Sequence, residues 1–388
     1  MIRKSINCIT SQFRYKNVFF FTKRKEGFQI IDYHELASSE SSELFTKFQR
    51  GFGREGIGSV LVKNIPHLSD TRFKLLPLTY QLANMSNEEL EKLVRAESHY
   101  LRGWSQKNQK VYGVENKNLG IFRAHILKDD KYQWSVSQLE HLPKRIQHLV
   151  GDNVWPDSNP SLNKIYKKLF LEYHQIVYKT AIILLTKLEK FIENEQPHFR
   201  TAALTQLLKR SDQHIGGQFF SYPNCNYEQL TNDWTYWSTD YSLLQGLSSQ
   251  IYVNSLGEMQ DYVDHDSGLH IFSKDPSNYI KIRLDDHSIL FKAGEALQIL
   301  SGGVIYPKPH RLIRGNFIAG KDLSVDYLNT VIQPNIEEKL SVPAGVKVDD
   351  VLDEFSVSVV PDLSERWQQS TTYGQFVEKT LLSYQARK

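Results

Sequence analysis

Apolar residues recur along this chain with two different periods. Over residues 161–192, Leu162, Ile165, Leu169, Ile176, Ile183 and Leu184 return at spacings that place them on one side of a helix, which predicts a single long helix. From Phe219 onward the texture changes to short runs separated by turns: QFFSYP, SLLQGLS, GLHIFSK, NYIKIRL, SILFKAG, EALQILSGG, RLIRGNFIAG and LSVDYLNTVIQP. Short strands at that density predict a double-sheet β fold such as a jelly roll. Upstream, GFQIIDYHEL (27–36) reads as a first strand ending in a polar turn. SSELFTKFQRGFGREG (41–56) reads as a short amphipathic helix closed by glycine, and GSVLVKNIP (58–66) as a buried strand stopped by Pro66. Residues 68–150 are mixed and mostly polar, and SERWQQSTTYGQFVEKTLLSYQ (364–385) ends in a C-terminal helix. Helices first and strands second predict one α+β domain rather than two separable ones.

Composition adds limits. With 388 residues, 40% hydrophobic and 23% charged, the chain is long enough for a substantial core without staples. Two distant cysteines, Cys8 and Cys225, argue against a disulfide framework or a cysteine zinc site. A net charge of +3 with no basic stripe gives no nucleic-acid signal. The charge is uneven, however. Arg3, Lys4, Arg14, Lys16, Lys23, Arg24 and Lys25 precede the first acid, Glu26, while Ile2, Ile6, Ile9 and Phe13 fall on one helical face. Such an acid-free amphipathic start predicts a mitochondrial targeting leader over residues 1–26. No stretch approaches the ~20 apolar residues of a membrane span, so a place in the matrix or peripheral to the inner membrane is expected. Phosphate loops, HExxH, GxSxG and paired-cysteine signatures are absent from the sequence.

The run GEALQILSGGVIYPKPHR (294–311) is the most specific stretch. It resembles the isopenicillin-N-synthase-like branch of the 2-oxoglutarate- and Fe(II)-dependent dioxygenases, in which a strand of that type leads into the strand carrying a distal histidine ligand. IIDYHEL, GSVLVKNIP, YLRGWS (100–105), NVWP (153–156) and LSERWQQSTTYGQF extend the resemblance over nearly all of residues 27–388. It implies a double-stranded β-helix (jelly-roll) core at 211–336 flanked by helices. An N-terminal α/β region would cover 27–210 and a C-terminal extension 337–388.

The resemblance also implies where iron would sit. The family holds Fe(II) with a facial triad, His-x-Asp on one strand plus the distal histidine. On that match His310 is the distal ligand. WSTDYSLLQGL (237–247) resembles the triad strand, with Asp240 as the carboxylate and Ser238 at the usual histidine position. DHDSG (264–268) is a competing candidate around His265, but Ser267 stands where its carboxylate would be needed, so the register makes it a decoy. The arginine that anchors 2-oxoglutarate falls on Val325, beside Ser324, and Gln245 stands where threonine is usual. Valine has neither the charge nor the fork of donors that match a carboxylate. Arg311 or Arg314 would be the nearest substitute cations, His265 the substitute ligand, and Tyr222 a possible lining residue or a packed core tyrosine.

One metal ligand and the cosubstrate anchor are thus replaced independently. The expectation is a catalytically degenerate scaffold with no catalytic residues and no cofactor, with Asp240 and His310 vestigial. It would serve as an accessory subunit of a mitochondrial assembly such as a respiratory-chain complex or the mitochondrial ribosome. Aromatics of residues 68–160 would supply contact surface, or simply core and rim packing. The alternative is an active oxidoreductase using Fe(II) and 2-oxoglutarate on a small molecule through atypical ligands.

Overall fold

The fold was obtained as a computed structural model and is described for residues 28–38, 41–106, 110–111, 114–115, 119–127, 140–222, 234–261, 267–272, 279–313, 323–352 and 360–386. The leader, His265, Arg314 and the KYQW run lie outside these residues. Strand β1 (Gln29–Asp32) turns into helix α1 (Tyr33–Ala37) rather than a polar turn, because Asp32 caps it reciprocally with Glu35. Helix α2 (Ser42–Phe52) and strand β2 (Ser59–Lys63) follow as the sequence predicts. The polar-looking region holds more order than its composition suggests. It contains helix α3 (Leu68–Ala83) and the strands β3 (Gly103–Gln106) and β4 (Leu119–His125).

Helix α4 (Pro160–Glu195) is the predicted long helix, 36 residues opened by the Asn159 cap and Pro160. Its buried stripe differs from the aliphatic one expected. Ile165 is 46% exposed, while Tyr166, Phe170, Tyr173, His174 and Val177 are buried beside Leu162 and Leu184. Aromatics carry the inward face here because each buries more area than an aliphatic side chain. Helix α5 (Ala203–Arg210) packs on α4, with the Glu189 carboxylate accepting from the Leu204 and Thr205 backbone amides.

The strands beyond are β5 (Ile215–Ser221), β6 (Leu244–Leu247), β7 (Ile251–Asn254), β8 (Met259–Gln260), β9 (Gly268–Phe272), β10 (Tyr279–Ile282), β11 (Ser288–Ala293), β12 (His310–Ile313) and β13 (Leu323–Ile332). Ten strands form one sheet in the order β1-β2-β11-β6-β13-β5-β4-β3, with β7 on β13 and β8 on β7. All of its pairings are antiparallel except β1 with β2. A second sheet of order β10-β9-β12 is antiparallel throughout.

One expectation is overturned. EALQIL forms helix α6 (Glu295–Leu300), not a strand. Its Ala, Leu and Gln favour helix, and it lacks the polar alternation of a half-buried strand. Gly294 ends β11 in extended conformation, and no side chain fits there because an added Cβ would collide with the Ser242 carbonyl. The C-terminal helix is α7 (Tyr373–Ala386).

Two apolar clusters result. One lies between the helices and the outer face of the large sheet, built on Tyr166, Phe170, Leu184, Phe220 and Leu328. The other lies between the two sheets and includes Leu61, Ile121, Phe219, Leu247, Leu269, Ile271, Leu290, Leu312, Val325 and Tyr327. Because side chains alternate along a strand, each residue of β4, β5, β6, β11 and β13 faces one cluster or the other. That alternation sets what enters the space between the sheets.

Several polar groups are buried in their neutral forms. Burial lowers His125 and His214 to about 4 and His174 to about 3 from an ordinary 6.5. Burial raises the carboxyl of Asp326 well above 3.8. Below pH 6.5 the unfolded chain protonates these imidazoles while the folded chain does not, so stability falls with pH. Asp326 opposes this by one proton. Stability is therefore expected to drop by about 2 kcal/mol per pH unit on average between pH 6.5 and about pH 4, least steeply near pH 6.5. Urea midpoints across that window check this, and a flat profile would show that the histidines are not held neutral.

Candidate functional site

The site forms where β12 meets the segment preceding β6. The Trp234 amide donates to the Leu312 carbonyl at 2.8 Å, and Ser238 and His310 exchange both backbone hydrogen bonds at 2.9 Å. Ser238 therefore sits directly opposite His310, and directly opposed residues of an antiparallel pair project from the same face. Asp240 lies two residues on. Its backbone carbonyl accepts from the Glu295 amide at 2.7 Å, and its Oδ1 accepts from the Ser242 amide at 2.8 Å. The strand pairing thus brings Ser238 and His310 together, with Asp240 close enough to act on the Lys292 charge.

A residue that no sequence motif points to completes the site. Lys292, on β11, is 5% exposed, and its Nζ lies 2.6 Å from His310 Nε2. His310 Nδ1 faces the Lys308 carbonyl at 3.2 Å and so carries the ring proton. Nε2 is left with the lone pair, and the Lys292 ammonium donates to it. Burial lowers Lys292 to about 8, against the opposing pull of Asp240. Burial first, and then the Lys292 charge, hold the His310 imidazole neutral far below 6.5.

Alternation explains how a lysine comes to be there. Lys292 shares its phase on β11 with Leu290, which packs between the sheets, and pairs across to Gln245 on β6. Gln245 therefore borders the same space. Arg311 does not. It follows His310 on β12 and projects from the opposite face, its guanidinium over Trp237 at 4.6 Å and over Tyr279 at 6.0 Å. As a substitute cation for the site it is excluded by strand geometry. Tyr222 is also elsewhere, donating to the Ala83 carbonyl at 2.7 Å and set edge-on to Phe220. Val325 is fully buried on β13 in the cluster between the sheets, with Ser324 bonded to the Val253 carbonyl.

These donors can be tested against the iron that the fold resemblance implies. Fe(II) in a facial site takes imidazole and carboxylate from three residues. Here Nε2, the ligating nitrogen left to His310, already accepts from an ammonium at 2.6 Å. A metal bonded to that nitrogen at about 2.1 Å would need the same lone pair. Ser238 offers only a hydroxyl. Among the described residues no three His, Cys, Asp or Glu side chains gather at metal-binding spacing. The described donors do not fit the ion.

The C-terminal region holds the site segment in place. Arg366 and Glu295 form a buried two-pronged pair at 2.6 and 2.7 Å. Thr239 donates to Glu295 Oε1 at 2.7 Å, and the Tyr384 hydroxyl accepts from the Thr239 amide at 3.0 Å. Tyr236 stacks on Tyr384 with ring centroids 5.0 Å apart.

The architecture matches solved structures. A full-length Neurospora crassa protein in complex with alpha-KG superposes with a TM-score of 0.64 at 14% identity, covering 93% of this chain and 98% of that one. A 2OG-Fe(II) oxygenase family protein from Caulobacter crescentus gives 0.61 at 11% identity, covering 92% and 99%. Dioxygenase for auxin oxidation 1 from Arabidopsis thaliana, a 2-oxoglutarate complex, gives 0.55 at 11% identity, covering 83% and 99%. No family model matches the sequence, and no curated protein matches it either. The chain therefore has the fold of 2OG-Fe(II) oxygenases, and at these identities the likeness speaks to fold alone.

Removing Arg366 would strand a buried carboxylate. Arg366→Ala is expected to cost about 3–5 kcal/mol, read as a lowered urea midpoint with loosened 236–239 amides in hydrogen exchange. A loss below about 1 kcal/mol would show that the pair does not hold the segment.

Proposed function

We propose that this chain is a non-catalytic member of the 2-oxoglutarate/Fe(II) oxygenase superfamily, in its isopenicillin-N-synthase-like branch. In this reading the two sheets form a double-stranded β-helix and a lysine has taken the place of the metal. One observation carries it: the Lys292 ammonium lies 2.6 Å from the His310 nitrogen that would otherwise bind iron. Two further features support it. Ser238 stands opposite His310 where the resemblance calls for a histidine, and Val325 stands where it calls for the 2-oxoglutarate arginine. A buried cation that satisfies the histidine and feels Asp240 keeps the site structurally intact without a metal.

The acid-free amphipathic leader supports placement in mitochondria, and no helix among the described residues is long and apolar enough to cross a membrane. A scaffold kept there without its chemistry fits an accessory protein subunit of a larger assembly, such as a respiratory-chain complex. Isolation of the tagged protein from mitochondria with a defined stoichiometric complex supports that role. Recovery as a free monomer in every fraction contradicts it.

Anaerobic titration with Fe(II) and 2-oxoglutarate tests the chemistry. The wild type is expected to show no saturable micromolar iron binding and no succinate. Ser238→His alone is expected to leave this unchanged, because Lys292 still holds His310. Ser238→His with Lys292→Ala is expected to gain Fe(II) affinity. Micromolar iron binding and succinate release by the wild type would overturn the reading in favour of an active oxygenase with atypical ligands, His265 being the candidate third donor.

A further inference from the structure

A second cation borders the space between the sheets. Arg123 lies on β4 in the phase of Leu119 and Ile121, both of which pack in the inter-sheet cluster. Alternation therefore turns its side chain inward. Its guanidinium makes a single hydrogen bond among the described residues, from Nη1 to the Tyr100 carbonyl at 2.9 Å, and lies over the Phe219 ring at 5.6 Å. A guanidinium has five N–H donors, so most of this one's capacity is unspent. Burial disfavours its charge most, and the groups that oppose this are the phenols of Tyr241, Tyr327 and Tyr236, with no carboxylate among them. It is nevertheless partly exposed, although it sits within the large sheet. Part-exposure at an inward strand position puts its unspent donors within reach of a solute.

The surrounding groups are unfinished in the same sense. Among the described residues the Tyr327 hydroxyl, on a residue 1% exposed, has no hydrogen-bond partner, and neither does Asn329 Oδ1, on a residue 5% exposed. Both stand on β13 in the inward phase of Val325. A carboxylate would satisfy the Tyr327 hydroxyl, which is costly to bury unpaired; Asn329 Oδ1, itself an acceptor, would need a donor instead. Register places Arg123 opposite Gly217, and Gly217 opposite Asn329. Gly217 leaves the floor between them open, since a Cβ there would collide with Asn329 Oδ1. One wall is aromatic: Phe219 stacks on Tyr327 at 4.5 Å and Trp234 on Tyr327 at 5.9 Å.

We propose that the site at Arg123 binds a small organic carboxylate with an apolar or aromatic body. The guanidinium takes the carboxylate, the Tyr327 hydroxyl donates a further hydrogen bond, and the Phe219–Tyr327–Trp234 stack contacts the body. An apolar wall with a few convergent polar groups is the usual make-up of a small-molecule site, and a guanidinium fork matches a carboxylate. The site uses neither Asp240 nor His310, and its cation stands on a different strand from Val325. It requires no iron.

Calorimetric titration of the full chain in the presence of a metal chelator tests this, with benzoate, 2-oxoglutarate, benzamide and inorganic phosphate as probes. Benzoate is expected to bind saturably, while benzamide, equal in shape but uncharged, and 2-oxoglutarate and phosphate, charged but without an apolar body, are not. Arg123→Gln is expected to weaken benzoate by about 30-fold or more, and Tyr327→Phe by a smaller factor. Thermal unfolding verifies that each variant is folded. If Arg123→Gln fails to fold, Arg123→Lys serves, retaining charge while losing the fork and several-fold of the affinity. The proposal is overturned if benzoate does not bind, if 2-oxoglutarate or benzamide binds as well as benzoate, or if the folded Arg123 variants bind like the wild type. Because chelator is present throughout, these outcomes are separate from whether the chain can hold iron.

Discussion

An ammonium resting on an imidazole lone pair governs what the centre of this molecule can do. Once the Nδ1 proton of His310 is given to the Lys308 carbonyl, Nε2 has one lone pair to offer, and Lys292 takes it. The pairing satisfies a buried lysine and a part-buried histidine at once and leaves a cation in the field of Asp240. Buried polar groups are tolerated when paired and costly when they are not. Lys292 and His310 therefore support one another, and a change to either one alone leaves the other exposed to that cost.

The rest of the fold makes this pairing unavoidable. Ser238 and His310 are locked together through the backbone, so the distal histidine cannot shift along its neighbour without breaking a ladder. The segment before β6 is held from outside by Thr239, Glu295, Arg366 and Tyr384. β11 is buried on both faces and sandwiched between β2 and β6, which fixes the position from which Lys292 reaches inward. Arg123 enters the same space from β4, one strand in from the far edge of the large sheet. The two cations thus stand on opposite sides of β13, the strand carrying Val325.

Much of this was legible in the residues. Short runs bounded by turns located most of the strands, and the 3.6 period located the long helix. WSTDYSLLQGL and the run ending in His310 located two segments that the strand pairing joins. What stayed hidden did so for physical reasons. In SILFKA every residue is buried, so no polar face betrays which way Lys292 points. Arg123 sits in LGIFRAH, where two glycine- or alanine-bearing outward positions hide the alternation, and the region's polar character masked the strand. EALQIL reads as apolar enough for a strand, yet its intrinsic preference and the clamp on Glu295 by Arg366 make it a helix. Along α4, counting only aliphatic residues misplaced the buried stripe, which Tyr166, Phe170 and Tyr173 dominate. His265 and Arg314 lie outside the described residues.

Nitrogen NMR of histidine-labelled protein, with and without Fe(II) under anaerobic conditions, tests most directly whether Lys292 closes His310 to metal. His310 is expected to show a protonated Nδ1 and an unprotonated Nε2 hydrogen-bonded to the Lys292 ammonium, with both resonances unchanged when the paramagnetic ion is added. Selective broadening of His310 by Fe(II), with the hydrogen bond from Lys292 broken, would mean that the lysine yields to the metal and would contradict that claim.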